Sequence, residues 1–277
     1  MPTGERLLQI AARLQARAQP PLPPELVPLR IAGERVGLAL PIVAHFLAGT
    51  EGFRLKDREL VMVDFGLDVA GRTRRLAQAA RALRDAQLLT GWRDELLSVR
   101  ASPGGPVLAA IERGACRPLG IATTAVHLNA YSDDGDVVVA RRAAHKQIDP
   151  GCWDNLVGGM VPHGETLEQA LEREAWEEAG IALDRIEVHR GRSFSLLRPV
   201  PEGVQHEAIH VYDATLTANT EPKNQDGEVD AIETRSVADV VDAIERDEFT
   251  LESALVMIES LTRRAGVAAS HGLYLYA

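Results

Sequence analysis

The stretch GGMVPHGETLEQALEREAWEEAGI, residues 158–181, decides the fold because it combines helix signals with a high density of acid. Thr166 followed by Gln169 is a capping-box pattern that begins a helix, and Gly180 supplies a C-terminal stop. The stretch contains six glutamates, and like charges three or four residues apart on a helix repel by about 0.2–0.5 kcal/mol per pair. It is therefore either a solvated acidic surface or part of a site that binds a cation.

The helical repeat places three of these glutamates on the apolar face. Leu167 and Leu171 begin a stripe with spacings of three and four residues. The stripe continues through Glu174, Glu177 and Glu178. Carboxylates on an inward face raise their pKa values or bind cations, and oxygen-only ligands suit Mg²⁺ or Mn²⁺ rather than zinc. Glu168 and Glu172 lie outside the stripe, and we expect them to be solvated.

The spacing around this helix resembles the Nudix box. Gly159, Glu165 and residues 173–181 match its pattern, glycine-x5-Glu-x7-Arg-Glu-apolar-x-Glu-Glu-x-Gly-apolar. The resemblance implies an α+β fold, namely a Nudix α/β/α sandwich with a mixed sheet. It also implies an enzyme, a diphosphatase that hydrolyses a nucleoside diphosphate linked to another group, or a similar diphosphate.

Carried over by position, the resemblance assigns roles within the box. The arginine and the first glutamate of the box pair with each other in the family, so Arg173 and Glu165 are expected to be structural. The implied metal is Mg²⁺, with Mn²⁺ as the alternative. The implied metal-binding groups are the carboxylates of Glu174, Glu177 and Glu178 and the carbonyl of Gly159.

Hydrolysis of a diphosphate needs neutralisation of the phosphate oxygens and activation of a water molecule, both of which Mg²⁺ supplies. In this family a further carboxylate outside the helix commonly serves as base or extra ligand. The segment NQDGEVDA offers Glu228 directly after a glycine turn, with Asp226 as the weaker candidate. The predicted catalytic residues are thus Glu177, Glu178 and Glu228, although Glu228 also fits an exposed loop acid.

Positive and polar side chains near two predicted strands are the candidates for binding substrate. Arg141 and Arg142 end the strand DVVVARR, and Lys146 follows in the loop. Because side chains alternate along a strand, at most one of the two arginines faces the cleft. His127 and Asn129 alternate along VHLNAY and can meet a base or phosphate. Solvated strand-end charges and a structural histidine remain the competing interpretations.

The resemblance extends to the Nudix proteins related to thiamine pyrophosphokinase. It rests on the pattern GIATTAVHLNAY…VVVARRAAHKQIDPGCWDNLVGGMVPHGET and on a similar preceding unit. Members of that group hydrolyse thiamine diphosphate, and more readily its oxidised analogues, to the monophosphate. Two departures weaken the match, Cys152-Trp153 and EFTLESALV. Trp153 either stacks on a heterocycle or packs in the core.

Three alternatives to a thiamine diphosphatase remain. The first is a housecleaning hydrolase for nucleotide-type diphosphates such as ADP-ribose. The second is an enzyme similar to isopentenyl-diphosphate isomerase, although that enzyme's box is degenerate and this one is complete. The third is a non-catalytic Nudix binding module, which the retained glutamates argue against.

The chain is long enough for two domains. We expect an N-terminal α+β domain at residues 1–115 and a Nudix domain at residues 116–277. The apolar pattern predicts a helix over residues 72–89, and VLAAIERG is expected to form another short helix. Four strands are expected after the box, followed by two helices. The strands are predicted at 185–190, 192–198, 206–216 and 228–235, and the helices are predicted to begin at Ser236 and Thr250.

Composition narrows the class of partner. A net charge of -10 argues against a non-specific nucleic-acid or membrane binder, because such proteins need a basic face. Two cysteines cannot form a four-cysteine zinc site. No run of about 18 apolar residues is present, so we expect a cytoplasmic protein whose partner is a small diphosphate. The resemblance leaves a homodimer open.

The string HEAIH, which begins at His206, fits the zinc-protease pattern H-E-x-x-H. That chemistry needs a helix, whereas AIHVYDATLT is rich in β-branched and aromatic residues and favours a strand. On a strand, positions four apart lie about 13 Å from each other, too far for one zinc ion. We therefore reject the protease interpretation.

Overall fold

The structure is a computed structural model that describes residues 2–146, 148–217 and 220–267. Within these ranges the strands form a four-stranded, a two-stranded and a seven-stranded sheet. The first two sheets belong to the N-terminal part of the chain and the third to the part that carries the box. The final residues of the predicted Nudix domain, 268–277, lie outside the described residues.

The N-terminal part alternates short helices and strands. Its elements, in order, are α1 (Gly4–Ala18), β1 (Val27–Ile31), β2 (Glu34–Ala39), α2 (Pro41–Ala48), β3 (Phe53–Lys56), β4 (Glu59–Met62), α3 (Val69–Asp85), β5 (Leu96–Val99), β6 (Ala109–Glu112) and α4 (Cys116–Leu119). The four-stranded sheet has the order β2-β1-β4-β3. Ala32 and Gly33 join β1 to β2 with φ of 52° and 80°, the left-handed pair that a tight hairpin turn requires.

The segment VLAAIERG does not form the predicted helix. Ala109–Glu112 is strand β6, which pairs antiparallel with β5 and is buried along its whole length. A short apolar run cannot be assigned to helix or strand by periodicity alone. Here the neighbouring strand β5 supplies the hydrogen-bonding partner, with Leu97 opposite Ile111.

Helix α3 is shifted towards the N-terminus relative to the prediction of residues 72–89. Asp68 caps it, since its carboxylate accepts a hydrogen bond from the Gly71 amide at 2.7 Å. The helix ends at Asp85, and Gln87 has a left-handed φ of 57°. The turn that stops the helix therefore comes before the leucines that suggested a longer one.

The remaining elements form a sandwich of helices around a mixed sheet. They are β7 (Thr123–Ser132), β8 (Val137–Arg142), β9 (Trp153–Asp154), β10 (Val157–Met160), α5 (Leu167–Ala179), β11 (Val188–Val200), β12 (Gly203–Leu216), β13 (Val229–Arg235), α6 (Val237–Glu245) and α7 (Leu251–Arg264). The strand order is β11-β12-β7-β8-β13, with β10 on β7 and β9 on β8. Only β12 and β7 pair in parallel among these strands, so the sheet is mixed, as predicted.

Alternation along β7 separates the two faces of this sheet. Val126 and Leu128 pack with α5 on one face, whereas Ala125 and Tyr131 pack with α1, α6 and α7 on the other. Both faces are therefore covered by helices, which confirms the predicted α/β/α arrangement. Ser236 and Thr250 cap α6 and α7 through their side chains, at the predicted helix starts.

Strand β11 joins two predicted strands into one. Residues 185–190 and 192–198 were expected to be separate, but Val188–Val200 is continuous, with an irregularity in register between Arg190 and Ser193. A bulge of this kind bends a strand without ending it. Its partner β12 includes HEAIH, so His206 and His210 lie on a strand, as predicted.

Helix α1 packs away from the rest of the N-terminal part. Leu7, Ile10 and Leu14 are buried in the same core cluster as residues of α6 and α7. The residues of β1 to β6 form a different cluster. The division at residues 115 and 116 stays a prediction, but α1 is covered by elements from the second half of the chain.

Candidate active site

Helix α5 begins and ends as its sequence predicts. Thr166 accepts a hydrogen bond from the Gln169 amide at 3.2 Å, and the Gln169 side chain accepts one from the Thr166 amide at 2.9 Å. Gly180 ends the helix in the left-handed conformation, with φ of 62°. Leu171 and Ala175 are buried against the sheet, while Glu168 and Glu172 are exposed. The box carboxylates are thus held by a capped helix with one apolar face.

Arg173 lies at the centre of the box. Its guanidinium donates to Glu165 at 3.2 Å, which is the predicted ion pair. It also donates to Glu174 at 2.8 Å and to Glu177 at 3.1 Å. A fourth bond, at 3.2 Å, reaches the carbonyl oxygen of Met160 at the end of β10. Arg173 therefore fixes the loop before α5 and also contacts two of the three predicted metal-binding carboxylates.

The three box carboxylates differ in their surroundings. The side chain of Glu174 is 14% exposed, whereas that of Glu177 is 44% exposed. Burial raises the pKa of Glu174, although Arg173 partly opposes this. Burial, and then the charge of Glu174, raises the pKa of Glu178 well above its usual value. The Gly158 amide donates to Glu178 at 2.8 Å. The protein therefore supplies too little positive charge to stabilise Glu174 and Glu178 as anions.

Gly159 allows the loop to approach the helix closely. A Cβ atom at this position would lie 2.0 Å from the Glu174 carboxyl group, so the Glu174 side chain would have to move. The absence of a side chain brings the Gly159 backbone against that carboxylate. This close approach is a physical reason for glycine at the first position of the box.

The chemistry of these groups fits a divalent cation. Glu174, Glu178 and the neighbouring Gly159 carbonyl offer oxygen atoms only, which Mg²⁺ and Mn²⁺ prefer. Their raised pKa values reflect negative charge that a cation would stabilise. Within the described residues, no three His, Cys, Asp or Glu side chains are already arranged as a metal site. Glu177 accepts a bond from Arg173 through one carboxylate oxygen, as Glu174 does.

Of the two strand-end arginines, Arg142 lines the cavity beside Gly158 and Gly159. It also bonds Asp154 at 3.0 Å. Arg141 donates to the Gly151 carbonyl at 3.2 Å and lies over the Trp153 ring. The alternation of β8 thus separates the two side chains as expected, and the predicted role of Arg141 in binding substrate gains no support.

His127 and Asn129 occupy different environments. His127 lines the cavity, and its Nδ1 lies 2.9 Å from Oδ1 of Asn155. Asn129 is fully buried and bonds Asp213 at 3.0 Å and Asn155 at 2.8 Å. Its side chain also reaches the carbonyl of Val256 in α7. Asn129 therefore joins the sheet to α7, which differs from the predicted contact with substrate.

Lys146 and Glu228 form an ion pair. Burial tends to raise the pKa of Glu228, but the bond and charge of Lys146 outweigh it and lower that pKa. Glu228 is therefore ionised at neutral pH, as a base or ligand must be. The Asp226 carboxylate accepts from the Glu228 amide at 2.8 Å, so Asp226 shapes the turn.

Trp153 belongs to the core. It is 7% exposed, and the guanidinium of Arg235 lies 3.8 Å from the centre of its ring. Arg141 lies 5.8 Å from the same centre. Since these contacts use the ring, the core interpretation is favoured over stacking on a heterocycle.

Sequence reasoning did not identify the opposite wall of the cavity. Gln205 and Glu207 of β12 line it together with Glu252 of α7. Arg113 and Arg117, which lie between β6 and β7, complete it from the N-terminal side. The sequence signal for this wall is the pair of polar residues at alternating, buried positions 205 and 207. This pair overlaps the HEAIH string, whose pattern points to the histidines instead.

The comparisons with known proteins agree with the box. The NUDIX domain family matches residues 121–255, and a domain of unknown function, DUF4743, matches residues 8–123. The chain is 34% identical over 211 residues to Nudix hydrolase 20, chloroplastic, of Arabidopsis thaliana, covering 74% of this chain and 56% of that protein. Nudix hydrolase 24, chloroplastic, of the same plant is 32% identical, with 69% and 54% covered. The chain spans about half the length of these two relatives.

Two further similarities are more partial. An isopentenyl-diphosphate Delta-isomerase of Leifsonia xyli subsp. xyli is 33% identical over 129 residues, which cover 46% of this chain and 68% of the isomerase. A crystal structure of a Deinococcus radiodurans protein has a TM-score of 0.48 and 24% identity, covering 61% of this chain and 98% of that chain. The match to the NUDIX domain family and the similarity to the two Arabidopsis Nudix hydrolases, together with the complete box, show that the chain belongs to the Nudix family. Proteins of this family generally use divalent metal ions.

Proposed function

We propose that the protein is a Mg²⁺-dependent Nudix diphosphatase. The observation that carries this proposal is the pair of neighbouring carboxylates, Glu174 and Glu178, whose pKa values are raised beside the Gly158–Gly159 backbone. The adjoining cavity is also lined by Arg142, a fixed cation suited to phosphate oxygens. Glu174, Glu177, Glu178 and the Gly159 carbonyl would hold the metal.

Mg²⁺, when bound, would neutralise phosphate oxygens and lower the pKa of a water molecule. The protein's own residues hold the substrate and move the proton. Arg142 and Lys146 would bind phosphate oxygens, with His127 at the cavity wall. Water attacks phosphorus, an O–P bond forms and the bridging P–O bond breaks, and Glu228 accepts the proton of the water. For a terminal diphosphate the products are a monophosphate and inorganic phosphate.

The proposed substrate is thiamine diphosphate or an oxidised analogue. Support comes from the sequence patterns shared with the thiamine pyrophosphokinase-related group. ADP-ribose and similar nucleotide-type diphosphates are the alternative. We further propose a cytoplasmic protein that acts on a small molecule, with a homodimer as one assembly. Among the described residues, each helix is too short or too polar to cross a bilayer.

Isomerisation of isopentenyl diphosphate is a second candidate function. It is favoured by the 33% identity to the Leifsonia isomerase, which covers 68% of that enzyme. The two reactions differ in their products, because isomerisation releases no phosphate. Product analysis therefore separates them.

The test is incubation with Mg²⁺ and each of five substrates, followed by ³¹P NMR. The panel contains thiamine diphosphate, oxythiamine diphosphate, ADP-ribose, a deoxynucleoside triphosphate and isopentenyl diphosphate. We expect conversion of thiamine diphosphate to the monophosphate and phosphate. Turnover of no member of the panel would refute the proposal, and loss of isopentenyl diphosphate without phosphate release would favour the isomerase.

A further inference from the structure

A second cavity lies on the opposite face of the seven-stranded sheet from the cavity beside the box, which Gly158 and Gly159 line. Alternation along β12 shows the separation, because Ala208 and His210 line the second cavity whereas Glu207 lines the cavity beside the box. The second cavity has a volume of about 830 Å³, against about 130 Å³ beside the box. Sites for small organic ligands commonly measure about 300–1,000 Å³, so the second cavity is large enough for one.

Both parts of the chain form the walls of the second cavity. The N-terminal part supplies β5 and the loop after it, and the box supplies the start of α5. Strands β11 and β12 complete the lining. The apolar side chains that line it include Leu97, Val161, Leu167, Phe194 and Ala208. Such a lining accommodates the apolar body of an organic ligand, while a few polar groups fix its orientation.

Two arginines line the second cavity without a carboxylate partner. Within the described residues, neither Arg100 nor Arg190 has an acidic group within 4.0 Å. Arg100 donates to a backbone carbonyl of its own loop, and Arg190 donates to Nδ1 of His210 at 3.3 Å. The acid among the described lining residues is Glu165, whose carboxylate is held by Arg173. The lining therefore carries more positive than negative charge.

The hydrogen bonds of His210 determine which of its ring nitrogens carries the proton. A guanidinium only donates hydrogen bonds, so Nδ1 of His210 accepts from Arg190 and carries no proton. The Ser193 hydroxyl lies 2.8 Å from the same nitrogen and donates to it as well. Burial, and then the charge of Arg190, lowers the pKa of His210, although Glu168 opposes the shift. The ring is therefore neutral at pH 7, and its proton is on Nε2.

The Nε2–H group of His210 is a donor that is open to the second cavity. It has no hydrogen-bond partner among the described residues, because both bonds of the ring use Nδ1. In the same part of the chain, the buried side-chain nitrogen or oxygen atom without a partner is the Tyr212 hydroxyl alone, so Nε2 is not sealed from solvent. His210 and Arg190 thus present hydrogen-bond donors to one cavity. Donors that include a guanidinium suit a carboxylate or a phosphate group.

We propose that the second cavity binds a small organic anion. The carboxylate or phosphate group of this ligand accepts hydrogen bonds from the Arg190 guanidinium and from Nε2–H of His210. Its apolar body lies against Leu167, Phe194 and Ala208. The sheet separates this site from the box, so the inference does not depend on the proposed diphosphatase activity.

The first test compares three ligands that share one ring system and differ in the attached group. Binding of 1-naphthoate, 1-naphthyl phosphate and the uncharged 1-naphthalenemethanol is measured by titration calorimetry without metal. We expect one molecule of at least one anion to bind per chain, about tenfold more tightly than the alcohol, because hydrogen bonds to charged groups are stronger. The anion that binds more tightly identifies the preferred acidic group. Equal affinities of the alcohol and both anions, or no binding of any ligand, would overturn the inference.

The second test locates the bound anion with variants. Arg190→Met, which removes the guanidinium, and His210→Phe, which removes the Nε2–H donor, should each weaken binding of the anion about tenfold. Both should change the affinity for the alcohol less than twofold. Arg185→Met, at an exposed arginine outside the cavity, is the control for lost charge and should bind the anion like the wild type. Arg190 is exposed, so Arg190→Met decides the test if His210→Phe does not fold. Weaker binding in Arg142→Met, with none in Arg190→Met, would place the anion beside the box and refute the inference.

Discussion

At the scale of single residues, Gly159 links the loop to the box helix. A Cβ at this position would overlap the Glu174 carboxyl group at 2.0 Å. We expect Gly159→Ala to displace Glu174 and to lower kcat at least tenfold, because a metal-binding carboxylate must be positioned closely. Gly49→Ala is the control, since its Cβ would lie 3.4 Å from the nearest atom and its φ is ordinary. Full activity of Gly159→Ala would show that the contact is unimportant.

Glu207 gives a prediction for stability as a function of pH. Its pKa is raised from 4.5 to about 7 in the folded protein, chiefly by burial and then by Glu252, against Arg113 and Arg117. Between these values the folded state binds more protons than the unfolded state, so stability falls as the pH rises through this window. Glu207→Leu or Glu207→Gln should remove this decline.

We expect Glu207→Gln to raise the free energy of unfolding by about 3 kcal/mol at pH 8 and to change it little at pH 4.5. Urea unfolding at both pH values measures the difference. The opposite order, with a larger gain at pH 4.5 than at pH 8, would mean that Glu207 is stabilised as an anion in the folded protein.

At the scale of secondary-structure elements, the capping box sets the start of α5. Thr166 and Gln169 bond each other's backbone amides. Thr166→Ala should lower the free energy of unfolding by about 1 kcal/mol, whereas Gln169→Glu, which keeps the capping pattern, should leave it nearly unchanged. Thermal and urea unfolding check both values. A Thr166→Ala protein as stable as the wild type would show that the cap contributes nothing.

Sequence predicted the box helix well because its signals are local. A capping pair, an apolar stripe and a terminal glycine lie within one segment, and Glu165 meets Arg173 only eight residues along. The sequence did not predict β6 because its four apolar or acidic residues show no hydrophobic periodicity. Their pairing with β5 depends on a distant part of the chain. Glu207 was missed for the same reason, since its cavity is built from both parts of the chain.

At the scale of the whole molecule, α1 connects the beginning of the chain to its last described helices. Leu14 is 1% exposed in the cluster that also contains residues of α6 and α7. Arg13 donates to the carbonyls of Ile244 and Glu245, both at 3.0 Å, at the end of α6. A side chain from the N-terminal part of the chain therefore caps a helix of the Nudix sandwich.

Leu14→Ala should therefore destabilise the Nudix part of the protein. We expect a loss of about 2–5 kcal/mol in the free energy of unfolding, as for other buried leucines. Hydrogen exchange should accelerate at the amides of α7. Ile42, which is 61% exposed, is the control, and Ile42→Ala should change stability by less than about 0.5 kcal/mol. Unchanged exchange in α7 would show that α1 does not support that helix.

The most direct test of the central claim is hydrolysis of thiamine diphosphate by the wild-type protein and by Glu178→Gln. The Gly158 amide bonds Glu178, and the charge of Glu174 helps to raise the pKa of Glu178. Glutamine in place of Glu178 removes the charge and keeps the shape of the side chain. With Mg²⁺, we predict thiamine monophosphate and phosphate from the wild type and a kcat lower by at least a hundredfold for Glu178→Gln. Glu172→Gln, on the exposed face of the same helix, should match the wild type. Near-full activity of a folded Glu178→Gln protein would contradict the account.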